Sequence, residues 1–213
     1  MRPRSLRSLI ALLPGLLIGL ALAGCDRQKA ADPQGNAPAA AAALAPPANA
    51  TAPAGAAGHP RYPTGRLDRS HAGTAAPDSV FEDGNGRPVR LSAFRGRPLL
   101  VNLWATWCGP CIVEMPSLDA LAQRQGEAIK VLAVSQDADD GRRKVADFFA
   151  ARSFRRLEPY LDSRMDLMMG LRLDTLPTTI LYDAQGREVW RMTGMADWSG
   201  ERAARLLREA DGG

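Results

Sequence analysis

The chain has 213 residues, a formal net charge of +4 and a pI near 9.3, enough for one domain of ordinary size plus appendages. Residues 1–73 carry 8 Lys+Arg against 3 Asp+Glu, and residues 74–213 carry 19 against 20, so the basicity belongs to the N-terminal third. That distribution denies the expected domain the electrostatic footprint of a nucleic-acid binder, and three cysteines do not make a disulfide framework.

Residues 1–24 read as a secretory signal: Arg2, Arg4 and Arg7, then an apolar core from Leu9 to Leu22. Leu22-Ala23-Gly24-Cys25 closes it and resembles a bacterial lipobox, with Cys25 the residue to be lipidated. Asp26 resembles an inner-membrane retention signal. The expectation is a lipid-anchored protein on the periplasmic face of the inner membrane. The alternative is an uncleaved transmembrane anchor, since the apolar run is nearly long enough to span. From residue 25 to 73 the chain is Ala-, Pro- and Gly-rich and too poor in large apolar residues to offset the entropy of ordering. It reads as a disordered tether, averaging about 40 Å end to end as a flexible coil.

The domain is expected over 74–213. Val80-Phe81-Glu82 and Pro88-Val89-Arg90-Leu91, joined by Asp83-Gly84-Asn85-Gly86, predict a hairpin, with a short turn or helix at Ser92–Arg95. Leu99 to Leu103 is the core of a buried strand over 99–105. The periodicity of Ile112, Met115, Leu118, Leu121 and Ala122 predicts a helix from Pro110 to Gln125, kinked at Pro116. Ile129–Val134 reads as a buried strand, Gly141–Arg152 as an amphipathic helix, Leu157–Leu161 as a short strand and Met165–Met169 as a short helix. Thr178–Tyr182 and Arg187–Met192 predict a second hairpin, and Glu201–Ala210 a closing helix. This order implies an α/β fold with a mixed sheet flanked by helices.

Chemistry concentrates at Trp107-Cys108-Gly109-Pro110-Cys111. Two thiols three residues apart, at the start of a helix, form a redox device: the exposed N–H groups of the first turn stabilise a thiolate. Cys108 is the expected nucleophile and Cys111 the resolving thiol of a thiol–disulfide exchange. A zinc site would need two further ligands, and both histidines, His59 and His71, fall outside the expected domain. No metal or other cofactor is expected. Trp107 reads as part of an apolar surface that receives substrate, and Trp104, Trp190 and Trp198 as structural. Met165, Met168 and Met169 read as a packed helix face; a Cu(I) site is the alternative.

Trp-Cys-Gly-Pro-Cys after an apolar strand, with Leu176-Pro177-Thr178 before a hairpin, resembles the thioredoxin fold. Asn102-Leu-Trp-Ala-Thr-Trp-Cys, Glu114-Met115-Pro116, the hairpin before the central strand and Gly194-Met-Ala-Asp-Trp198 resemble its TlpA/ResA-like, membrane-attached branch over about residues 76–210. The resemblance implies a thioredoxin fold with an N-terminal hairpin extension and a cis bond at Leu176–Pro177, exposing the Leu176 backbone to an extended substrate segment. It implies that Glu114 shapes the proton affinity of the cysteines. It also puts Asn102 where thioredoxin has a buried aspartate, so proton handling moves to Glu114 or water. The function it implies is reduction of client disulfides, such as those of cytochrome c or copper-site assembly proteins, with electrons from a transmembrane thiol reductant. Alternatives are a disulfide oxidant or isomerase, and a Cu(I) metallochaperone.

Overall fold

The computed structural model describes residues 64–211. The expected signal, Cys25 and most of the expected tether lie outside the described residues. Among the described residues no helix is long and apolar enough to cross a membrane.

The strands are β1 (Arg66–Asp68), β2 (Phe81–Asp83), β3 (Pro88–Val89), β4 (Leu99–Trp104), β5 (Lys130–Ser135), β6 (Pro159–Leu161), β7 (Thr178–Tyr182) and β8 (Glu188–Thr193). The helices are α1 (Gly109–Gln125), α2 (Gly141–Ala150), α3 (Asp166–Gly170) and α4 (Glu201–Arg208), with a 3-10 turn at Leu91–Phe94. One sheet holds all eight strands in the order β1-β8-β7-β4-β5-β6-β2-β3. β4, β5 and β6 run parallel, and β7, β8, β1 and the β2–β3 hairpin pair antiparallel. This is the expected α/β thioredoxin architecture with a hairpin ahead of the central strand.

Side-chain alternation along β4 divides the core. Leu100 and Trp104 join a cluster closed by α1, α2 and α4, whereas Leu99, Val101 and Leu103 join one closed by α3 and the hairpin region. Asn102 shares the phase of Leu100 and Trp104, which brings it under α1. Trp104, Trp190 and Trp198 are buried, as their structural reading requires, and the last two stack with ring centroids 6.4 Å apart. α1 continues through Pro116.

Three features depart from the sequence reading. Ordered structure begins before Thr74: β1 pairs with β8, placing Arg66 opposite Thr193. Its entry depends on Gly65, whose N–H donates to the Met195 carbonyl at 2.7 Å, and a Cβ there would sit 2.6 Å from the Gly194 oxygen. His71 consequently lies inside the folded part, exposed in the turn after β1. The methionines do not form one packed face. α3 is only five residues long, Met165 precedes it in a left-handed conformation, and Met165 and Met169 are exposed while Met168 packs inward.

Candidate active site

The site assembles at the C-terminal end of β4. After Trp104 the chain makes a turn closed by the Cys108 N–H on the Ala105 carbonyl (3.1 Å) and enters α1 with Cys108 as its N-cap. Pro110 occupies the first turn of the helix, where a missing N–H costs nothing. Cys108 and Cys111 form a disulfide with Cα atoms 5.3 Å apart. The Cys111 N–H points at the Cys108 sulfur (3.4 Å), so the helix start directs a donor at the atom that carries charge once the pair is reduced. The two sulfurs are not equivalent: Cys108 is 6% exposed and Cys111 is fully buried.

Around this pair, Trp107 is 69% exposed. Leu176–Pro177 is a cis bond, and the Pro177 carbonyl accepts the Gly194 N–H at 2.8 Å. Leu176 is partly buried and touches both core clusters.

Glu114 is three residues past Cys111, on the same face of α1. It is not a surface residue. At 2% exposure its carboxylate accepts the Asn102 side-chain amide (2.6 Å) and the Ala196 N–H (2.9 Å). Asn102 also donates to the Thr179 hydroxyl at 3.0 Å. Burial pushes the Glu114 carboxyl up to about 7, against the Ala196 and Asn102 hydrogen bonds that favour its charged form. A buried group titrating near neutrality, one helical turn from a buried thiol, has the proton affinity that general acid–base work at that pH requires.

Sequence reasoning missed two residues. Asp137, after β5, receives Thr106 from the turn before Cys108. Ala196, through its backbone, holds Glu114 from a segment about eighty positions away in the chain. Only the register of the sheet brings either to the site, and no local spacing signals it.

A thioredoxin fold with a Cys-Gly-Pro-Cys disulfide at the start of its first helix defines a thiol–disulfide oxidoreductase. Residues 71–207 match the Redoxin family model, and the chain belongs to the Redoxin family. It is 35% identical over 126 residues to the thiol-disulfide oxidoreductase ResA of Geobacillus thermodenitrificans, covering 57% of this chain and 69% of the relative. To ResA of Bacillus subtilis it is 31% identical over 124 residues, covering 57% and 67%. Among solved structures, a thiol:disulfide interchange protein DsbE from Chlorobium tepidum superposes with a TM-score of 0.58 at 25% identity, over 66% of this chain and 98% of that one.

Proposed function

We propose that this oxidoreductase works outside the cytoplasm, tethered to the membrane through Cys25, and reduces disulfides in client proteins. The observation that carries the reading is the asymmetric pair at the start of α1, an outer Cys108 with Gly109-Pro110 before a buried Cys111. Gly-Pro between the cysteines is the thioredoxin sequence, and thioredoxin is strongly reducing at about −270 mV. The basic, apolar and Leu-Ala-Gly-Cys parts of residues 1–25 support export and lipid attachment, and the Ala/Pro-rich stretch after them supports reach from the anchor.

In the reaction, the Cys108 thiolate attacks one sulfur of a client disulfide. A mixed disulfide forms and one client thiolate leaves. The Cys111 thiolate, its proton passed to Glu114 or water, attacks the Cys108 sulfur, forming the Cys108–Cys111 disulfide and releasing the second client thiolate. Two electrons pass to the client, and a transmembrane dithiol returns them. Trp107 and the Leu176 backbone form the surface that receives the client segment around its disulfide. The resemblance to the TlpA/ResA-like branch supports clients among cytochrome c and copper-site assembly proteins.

The test is acid-quenched alkylation of fractionated cells. The expected result is membrane-bound protein with Cys108 and Cys111 mostly as free thiols. A pair found oxidised at steady state overturns the reducing direction, and recovery in the soluble fraction overturns the tether.

A further inference from the structure

One buried carboxylate outside the dithiol is committed to the loop that carries it. The parallel register sets Trp104 of β4 against Ser135 of β5. Pairing continues one step beyond, with the Gln136 N–H donating to the Trp104 carbonyl at 2.8 Å. Thr106 and Asp137, each two residues past those partners, therefore meet. The Asp137 carboxylate accepts the Thr106 N–H at 2.8 Å on one oxygen and the Thr106 hydroxyl at 2.6 Å on the other. The Ser135 hydroxyl donates to the first of those oxygens at 2.6 Å and accepts the Asp137 N–H at 3.0 Å.

Asp137 is only 1% exposed. Withdrawing a carboxylate from water is costly unless donors replace the water, and charge-assisted bonds are the strong ones. Of the three groups that donate to its carboxylate, two belong to a single residue, Thr106, a corner of the Ala105–Cys108 turn. Such corners at a protein surface ordinarily have freedom to move. This one is fastened to the end of β5 by both its backbone and its side chain.

We propose that Asp137 is a positioning residue for the nucleophile. By holding both polar groups of Thr106, it fixes the turn that keeps the Cys108 sulfur at the start of α1, against the Cys111 N–H and the aligned peptide dipoles of the first turn. In the reduced protein those groups stabilise the thiolate. A looser turn lets the sulfur leave them, which lowers the thiolate fraction at neutral pH by more than the accompanying gain in intrinsic nucleophilicity restores. It also weakens the dithiol relative to the disulfide, since a stabilised thiolate favours the reduced form.

The experiment equilibrates the protein with glutathione, in which protein disulfide and two reduced glutathiones give protein dithiol and one oxidised glutathione. It also follows alkylation of Cys108 by iodoacetamide at pH 7. Thr106→Val removes one arm of the clamp without changing charge, Asp137→Ala removes both, and Thr106→Ser retains both. The expected result for Asp137→Ala is an equilibrium moved about tenfold toward the disulfide, the effect of losing a charge-assisted bond, with alkylation slowed about threefold once the gain in intrinsic nucleophilicity is counted. Thr106→Val moves both readouts the same way by a smaller factor, and Thr106→Ser stays within about twofold of the parent. Folded Asp137→Ala and Thr106→Val proteins with unchanged equilibrium and alkylation overturn the proposal, leaving Asp137 as a brace of the fold. A shift of Asp137→Ala toward the dithiol, with Thr106→Val silent, also overturns it, because the carboxylate then acts by direct repulsion of the thiolate. Should Asp137→Ala not fold, Thr106→Val against Thr106→Ser decides alone.

Discussion

Replacing Cys111 with Ala converts the protein into a trap: mixed disulfides accumulate through Cys108 and disappear on reduction. In the parent, the resolving thiol is held against the bond it must cleave, and intramolecular placement of this kind is worth an effective concentration of about 10⁵ M or more. Without it, resolution depends on external thiols at millimolar levels, so turnover with a protein disulfide falls by several orders of magnitude. Cys108→Ala behaves differently. The remaining Cys111 is fully buried on α1, so neither trapped species nor turnover above background is expected. The pattern is read by non-reducing electrophoresis of the variants after incubation with a disulfide-containing protein. Equal trapping through either cysteine contradicts the assigned roles.

Glu114→Gln has the second largest effect, and it appears in two measurements. In the folded protein the carboxyl keeps its proton up to about pH 7, against an ordinary value of 4.5. Between these values the native state binds more protons than the unfolded chain. This group's contribution to stability is therefore full below pH 4.5 and is lost as pH rises through 7. A shift of this size corresponds to about 3 kcal/mol. The neutral amide removes the term, so relative to the parent the variant gains about that much stability between pH 4.5 and 8. Denaturant unfolding across that range checks it, and parallel curves for parent and variant contradict it. In catalysis, if Glu114 takes the Cys111 proton as proposed, the parent's resolution step is expected to show an inflection near pH 7, where the carboxyl loses its own proton. Glu114→Gln loses that inflection and resolves about tenfold more slowly at pH 8, at the low end of what general-base assistance contributes.

The parts of this molecule legible from sequence are those in which chemistry and local geometry coincide. Leu99 to Leu103 is apolar apart from Asn102 because β4 is covered on both faces, and the cysteines follow it at the start of a helix. Glu114 was legible as a neighbour of Cys111 by helical spacing, but its burial was not. A charged residue on a helix ordinarily faces water, and the partners that keep this one inside, Asn102 and Ala196, come from the central strand and the segment after β8. β1 is not legible in the sequence because Arg66-Leu67-Asp68 has no apolar run. Its pairing with β8 makes it a strand, and only Leu67 packs toward the core. The Thr106–Asp137 clamp was hidden for a related reason: the two residues are separated by a whole helix and meet only through the parallel register of β4 and β5. Methionine spacing misled in the opposite direction, since a helix of five residues has too few turns to bury the face its periodicity suggests.

Whether Cys108 and Cys111 act as a reducing pair is decided by their reduction potential. Equilibration of the purified domain with glutathione or dithiothreitol buffers at pH 7, followed by quantitation of dithiol and disulfide, should give a value near the −270 mV of thioredoxin, and a value above about −180 mV, in the range of protein disulfide isomerase and DsbA, would contradict the reducing role.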